Sequence, residues 1–330
     1  MSPADTEVVI LCLDSISDQI NRYISPLIWL FGVVGNILNC LILSQRPLRS
    51  NSCALLFLIS SIADLVSVLV GLSTRILAGW HTDPTSTITW ICRSRAFIVF
   101  TTRTIAIWLI TLATIDRWLS SSTNIRRWRL SSLKNVKRGS ILVAIVSFLL
   151  YVHMLMCYEA NLYDEPLPCY GGTVRCRLTT DLIYVLMTVT LPLALMLIFG
   201  LLTIVNVRRI RLRTNQTRIR LLREQIARNR RVKFKRTDHH LLRMLIFQMI
   251  FLILLCLPQA VQKLHITIHP IGYGSPMDDS IKRFLYNIDI LLAFIASGMP
   301  FYINTLAGGV VFRNACIDLM QNALEKLKCC

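Results

Sequence analysis

Seven long apolar runs divide the chain: about Ile24–Leu43, Cys53–Leu77, Cys92–Trp118, Gly139–Tyr158, Thr180–Asn206, Leu241–Ile268 and Ile281–Leu306. Each reaches the roughly 20 residues that a helix needs to cross the hydrocarbon of a bilayer. They are numbered below as spans one to seven. A different pattern follows from about Gly309 to Lys328. There Phe312, Cys316, Leu319, Ala323 and Leu327 recur at helical spacing, opposite Arg313, Asp318, Asn322 and Lys326. One apolar and one polar face describe a helix lying on a membrane surface. The pattern therefore predicts an all-α membrane protein, a seven-transmembrane helix bundle with an amphipathic C-terminal helix. Residues 1–23 form the N-terminal segment, 24–306 the bundle, and 307–330 the surface helix and tail. No internal repeat is visible.

Composition supports this reading. The 330 residues are 54% hydrophobic and 16% charged, with a mean hydropathy of +0.56. Soluble domains carry about 25% charged residues. The net charge of +18 could point to nucleic acid, but the placement of the basic residues argues otherwise. Of the 36 Lys and Arg, 25 fall in the one-two, three-four and five-six connections and the tail, 14 of them between Arg208 and Arg243. The opposite side carries acids, including Asp5, Glu7, Asp14, Asp18, Asp83, Glu159 and Asp181. The positive-inside rule puts the N-terminus outside and the C-terminus in the cytoplasm. The basic face is expected to attract anionic lipid and acidic partner surfaces, not DNA or RNA.

Few residues carry chemistry. Span three ends in Asp116-Arg117-Trp118, and Cys92 lies 25 residues before Arg117 at its other mouth. That separation covers roughly 37 Å of helix, a full crossing. Charges inside spans are costly and mark function. They include Asp64 in span two and, in the outer half of the bundle, Arg75, Arg103, Lys263 and Asp289, with polar Gln259, Gln262, Tyr286 and Asn287. Of the 11 cysteines, Cys40, Cys53, Cys157 and Cys256 sit in apolar runs and read as small core residues. Cys92, Cys169 and Cys176 flank spans in polar loops, where disulfides form. No nucleophile–base pair appears and no His or Cys spacing points to a metal, so no enzyme is expected.

Seven spans, Cys92 and Asp116-Arg117-Trp118 at that spacing, Gly35-Asn36, Asp64, Pro192 and Pro258 together resemble a rhodopsin-like (class A) G-protein-coupled receptor over nearly the whole chain. The resemblance implies that Arg117 is held by Asp116 and by Asp238 at rest, and meets a heterotrimeric G protein when span six swings outward. It implies a central polar network of Asn36, Asp64 and Ser297, with a possible sodium ion at Asp64. It implies a disulfide from Cys92 to the second outer loop, at Cys169 or alternatively Cys176. With Cys169 taken, Cys176 is left free or pairs with Cys12. Cys329 and Cys330 are candidates for palmitoylation beside the surface helix.

The chain departs from the family at several points. Cys256 replaces the Trp of span six, Gly200 the Tyr of span five, and Ala106 the Ser of span three. Met299-Pro300-Phe301-Tyr302-Ile303-Asn304 allows two registers for the motif of span seven. Either Pro300 is the motif proline, or Phe301 stands in its place with Asn304 for the Tyr. The second register resembles invertebrate FMRFamide-type neuropeptide receptors. Val99 occupies the place where amine receptors carry Asp, which argues against an amine ligand. The ligand pocket is expected among Arg75, Val99, Arg103, Gln259, Gln262, Lys263, Tyr286 and Asp289. Two arrangements of its charges stay open. Arg103 pairs structurally with Asp289, or Arg103 or Lys263 takes an acidic ligand group while Asp289 takes a basic one. Both fit an extracellular peptide. The implied function is a neuropeptide receptor of the plasma membrane. The alternatives are a receptor-like protein that binds without signalling and a small membrane transporter.

Overall fold

The computed structural model describes residues 3–45, 51–122, 124–162, 165–220, 228–272 and 274–307, with Phe312, Cys316, Ile317 and Gln321 beyond them. Side chains between 210 and 244 lie outside the description. Most of the predicted surface helix, and Cys329 and Cys330, also fall outside the described residues.

The apolar runs are helices. Span two is Ser52–Gly79, span three Thr89–Ser120, and span four Leu133–Tyr151 with a further turn, Met154–Cys157. Span five comprises Val174–Ile183, a π-helical stretch Tyr184–Thr190 and Leu191–Arg220, and span six is Arg228–Ile268. Six described helices are long and apolar enough to cross a membrane. The pair Pro276–Gly298 and Pro300–Leu306, bent by 49°, makes a seventh. Local sequence explains the starts. The Asn51 side chain accepts from the Cys53 amide at 3.0 Å and caps span two. Ser275 caps span seven ahead of Pro276, and Asp278 and Asp279 sit in its first turn.

Two spans differ from plain helices. Span one is Ser25–Leu43, but the N-terminal segment is helical from Pro3 to Gln19 and joins it through a π-helical stretch, Ile20–Ile24. Asn287 of span seven donates to Ser17 at 3.0 Å, so the added helix leans on the end of that span. In span five the π-helical stretch precedes Pro192. A proline cannot bond the carbonyl four residues back and its ring crowds that carbonyl, so a widened turn accommodates it. A backbone carbonyl freed there finds a partner outside the helix. Trp108 donates to the Met187 carbonyl at 2.9 Å. The Thr188 hydroxyl meets Tyr151 at 2.5 Å and Thr104 at 2.7 Å. Spans three, four and five are thereby tied at one depth.

Close helix contact uses small residues. A Cβ added at Gly298 would lie 3.0 Å from the Gly32 Cα, so spans one and seven touch backbone to backbone there.

A two-stranded antiparallel hairpin, β1 (Tyr158–Glu159) and β2 (Tyr170–Gly171), covers the Cys92 end of the bundle. Cys92 is bonded to Cys169, which pins the hairpin to span three. A second disulfide joins Cys157 to Cys176. This corrects the expectation for Cys176, which is neither free nor paired with Cys12; Cys12 is an exposed thiol. It also corrects Cys157, which is not a core thiol. Span four breaks at Tyr151, so Cys157 sits at the foot of β1 and faces the start of span five, with the two Cα atoms 6.0 Å apart.

Candidate functional site

Span three carries functional side chains at both ends. At the arginine end, Asp116 and Arg117 are buried and 3.1 Å apart. Asp116 also accepts from Ser52 at 2.7 Å and from Ser131 at 2.6 Å. The Arg117 guanidinium donates to the Asn51 side chain at 3.0 Å, so the residue that caps span two also holds the arginine. Trp118 packs on Phe199 with ring centroids 5.0 Å apart, and Arg127 stacks over it at 5.3 Å. The Asp238 side chain lies outside the described residues. Asn51, Ser52 and Ser131 escaped the sequence reading because they are short, neutral and placed at helix ends.

At mid-bundle the Asn36 amide donates to the Gly32 carbonyl at 2.9 Å and the Ser297 carbonyl at 3.0 Å. Asp64 is buried beside the Ser60 and Ser297 hydroxyls, so Ser297 links Asn36 to Asp64. Ser60 donates to the carbonyl of Ala106, which here offers backbone in place of a side-chain hydroxyl. The Asn36 carbonyl oxygen is buried without a partner. One carboxylate and several neutral oxygens are the donor chemistry of a hard cation, so the residues fit a sodium ion. One turn nearer the arginine end, Asn304 donates to Asn39 at 3.0 Å and Asn39 to Ser61 at 2.6 Å. This second chain joins spans seven, one and two.

At the disulfide end lies a small buried cavity of about 40 Å³. Arg95 and Arg103 line it from span three, with Val99 between them. Gln259, Tyr286 and Phe294 contribute from spans six and seven, and Tyr170 closes it from the hairpin. Gln259 is fixed by the Tyr184 hydroxyl, which donates to it at 2.6 Å. Arg103 is 4% exposed, stacks over Phe294 at 5.8 Å and points one guanidinium nitrogen at the Cys256 sulfur, 3.9 Å away. Arg75 is buried behind the cavity and reaches Asn287 at 3.5 Å.

Three expectations for this end need correction. Arg103 does not pair with Asp289. Tyr286, Ile290 and Phe294 of span seven face the cavity, whereas Asp289 lies on another side of that helix and half exposed. Asp289 is therefore not placed to receive a ligand group there. Lys263 is not an open ligand contact either. It is fully buried and bonded to Asp181 at 2.6 Å, inside a box of Phe100, Tyr170, Tyr184 and Tyr286 rings. Thr267 and Tyr170 complete the pair by donating to the other Asp181 oxygen at 2.8 and 3.1 Å. Gln262 donates to the Lys282 carbonyl at 3.3 Å instead of lining the cavity. Nearby, Lys282 is bonded to the Asp278 carboxylate at 2.6 Å. The sequence reading missed Arg95 because it precedes the fully apolar part of span three, and Asp181 because it was counted among loop acids.

Above the cavity a wider groove of about 750 Å³ opens between the hairpin and spans five and six. Glu165, Arg177, Asp181, Ile266 and Thr267 line it, and Tyr170 belongs to both groove and cavity.

Comparison with known families matches residues 35–300 to the 7 transmembrane receptor (rhodopsin family). The match runs from Gly35 to Pro300 and takes in the whole of spans two to six. No curated protein matches the chain.

Proposed function

The chain belongs to the rhodopsin family of seven-transmembrane receptors, and from that premise we propose that it is a neuropeptide receptor of the plasma membrane. Its disulfide end faces outside, its basic end faces the cytoplasm, and it couples to a heterotrimeric G protein. The observation that carries the peptide reading is the groove of about 750 Å³, which shares Tyr170 with the buried cavity. Its size falls in the range of ligand sites, and a wall of apolar side chains and internally paired charges, Glu165 with Arg177 and Asp181 with Lys263, suits a segment with polar and apolar residues more than an amine or a lipid.

The mechanism is a population shift. A peptide in the groove places its end beneath Tyr170 and favours a bundle in which span six has moved outward. At the opposite end, that movement opens a cleft beside Arg117, where the G protein docks. The basic five-six connection lies against anionic lipid, and Cys329 and Cys330 carry palmitates. Asp64, Ser60, Ser297 and Asn36 would hold a sodium ion in the resting state, supplying positive charge to a buried carboxylate. Melting of the purified protein checks this: sodium in place of N-methylglucamine raises Tm, and D64N removes the difference.

The test of the receptor reading is G-protein activation in cells against a peptide library. An N-terminal epitope is stained on intact cells, and R117A serves as control. Evoked or basal activity that R117A abolishes is expected. Staining only after permeabilisation would contradict the orientation. Silence throughout, despite surface staining, favours a second reading, a receptor-like protein that binds without signalling. Two observations motivate it. Cys256 stands in the place of a Trp, and Gly200 in the place of a Tyr, with open space where its Cβ would be.

A further inference from the structure

The cavity at the disulfide end has an unbalanced charge. Two guanidinium groups line it, and among the described residues no carboxylate does. The acids nearby are committed, turned away or out of bonding reach. Asp181 is taken by Lys263, Thr267 and Tyr170, and Asp289 is off the cavity wall. Asp83 accepts from Thr85, and Asp64 lies beside Ser60 and Ser297 and acts on Arg103 only at a distance. Neither arginine is satisfied by its own surroundings. Arg95 has one bond, to the Gly71 carbonyl at 3.3 Å, and its Nε is buried without a partner. Arg103 has a long contact to a thiol, and its Nε is also buried without a partner. Arg75 adds a third guanidinium close by with the same orphaned Nε. A buried charge normally acquires a counter-charge and hydrogen bonds, because leaving it bare is costly.

We infer that this cavity receives a carboxylate of the ligand, held by Arg95 and Arg103. Guanidinium groups match a planar carboxylate with paired N–H donors. About 40 Å³ admits a small group and not a whole residue chain. Val99, Ile290 and Phe294 share the wall with Gln259, Tyr184 and Tyr286, so the cavity seats the charged group while the residue that bears it stays in the groove. This rests on the receptor reading and deepens it: the peptide enters with a free C-terminal carboxylate or an acidic side chain first. Basic peptides, and peptides amidated at the end that enters, are refused.

The experiment uses the full chain purified in detergent, with N-acetyl-phenylalanine as probe, its uncharged amide as the matched control and inorganic phosphate as a third arm. Thermal unfolding is followed as each is titrated. The acid raises Tm in a saturable way, and the amide needs at least about tenfold more for the same shift. R103Q and R95Q each erase the difference between acid and amide, while R103K retains part of it. Arg95 is partly exposed, so R95Q is the variant that reports if R103Q does not fold. Equal shifts from acid and amide, or a preference that survives R95Q, would overturn the inference. So would phosphate acting where the carboxylate does not. The peptide assay separates the two ideas. Activation by peptides with no acidic group sinks the carboxylate and leaves the receptor. An acid-dependent Tm shift with no activation by any peptide leaves the carboxylate and sinks the peptide reading.

Discussion

Lys263 and Asp181 bring opposite charges into a dry box of aromatic rings. The lysine is 0% exposed and the aspartate 2%. Four ring faces lie 5.1 to 5.6 Å from the ammonium, and every oxygen of the carboxylate has a donor. Removing one partner strands the other. K263M leaves a buried carboxylate with only two hydroxyl donors, at a cost of about 3–5 kcal/mol. The double variant K263M/D181L removes both charges and recovers most of that loss, because an apolar pair of similar volume suits an aromatic box. Melting temperatures of the three proteins check the claim, and a double variant as unstable as K263M would refute it. The pair is therefore weak support for stability. It joins the ends of spans five and six, and so it limits how far one can move without the other.

The hairpin shows the same logic among elements. The bond from Cys92 to Cys169 ties it to span three, and the bond from Cys157 to Cys176 ties its first strand to the start of span five. The second bond spans 19 residues, a loop whose closure stabilises by about 3 kcal/mol on chain entropy. C157S/C176S should therefore melt several degrees lower, with Cys92–Cys169 intact. An unchanged Tm would mean that the hairpin is held by its packing alone. The helices themselves were legible in the sequence, since twenty or more apolar residues have few alternatives in lipid. The second disulfide was not. Hydropathy runs smoothly through Cys157, whereas the backbone leaves the helix at Tyr151, and no local pattern marks that break. The supposed Arg103–Asp289 pair failed for a related reason. Depth along a helix can be read from sequence, but which face of span seven meets span three depends on packing. Span seven also bends by 49° after Gly298, where Pro300 opens a new helix. The bend sends Tyr302 to the Phe31 carbonyl of span one and turns Asn304 inward to Asn39.

Across the whole molecule, span three carries buried arginines toward both ends. Arg103 and Arg117 are 14 residues apart, roughly 21 Å along a helix. The upper arginine touches Cys256 of span six, and the lower one is bound to Asp116 and Asn51. Under the proposed outward movement of span six, a ligand group that draws Arg103 away from Cys256 changes a contact between the two spans that would separate. At the other end the Asp116 carboxylate has donors from Ser52 of span two, the neighbouring Arg117, and Ser131 of the three-four connection. A hydrogen bond to a charged group contributes about 1.5–3 kcal/mol. Loss of one such bond shifts a two-state equilibrium roughly tenfold or more. D116N keeps the shape and one carbonyl acceptor but removes the charge that faces Arg117. Basal G-protein activation should rise several-fold in D116N and less in S131A, at matched surface expression, and R117A should show none. S131A reports the tether from the three-four connection alone, since the ion pair is intact in it. If D116N and S131A both signal at the parent's basal level, the Asp116 cluster does not restrain the switch.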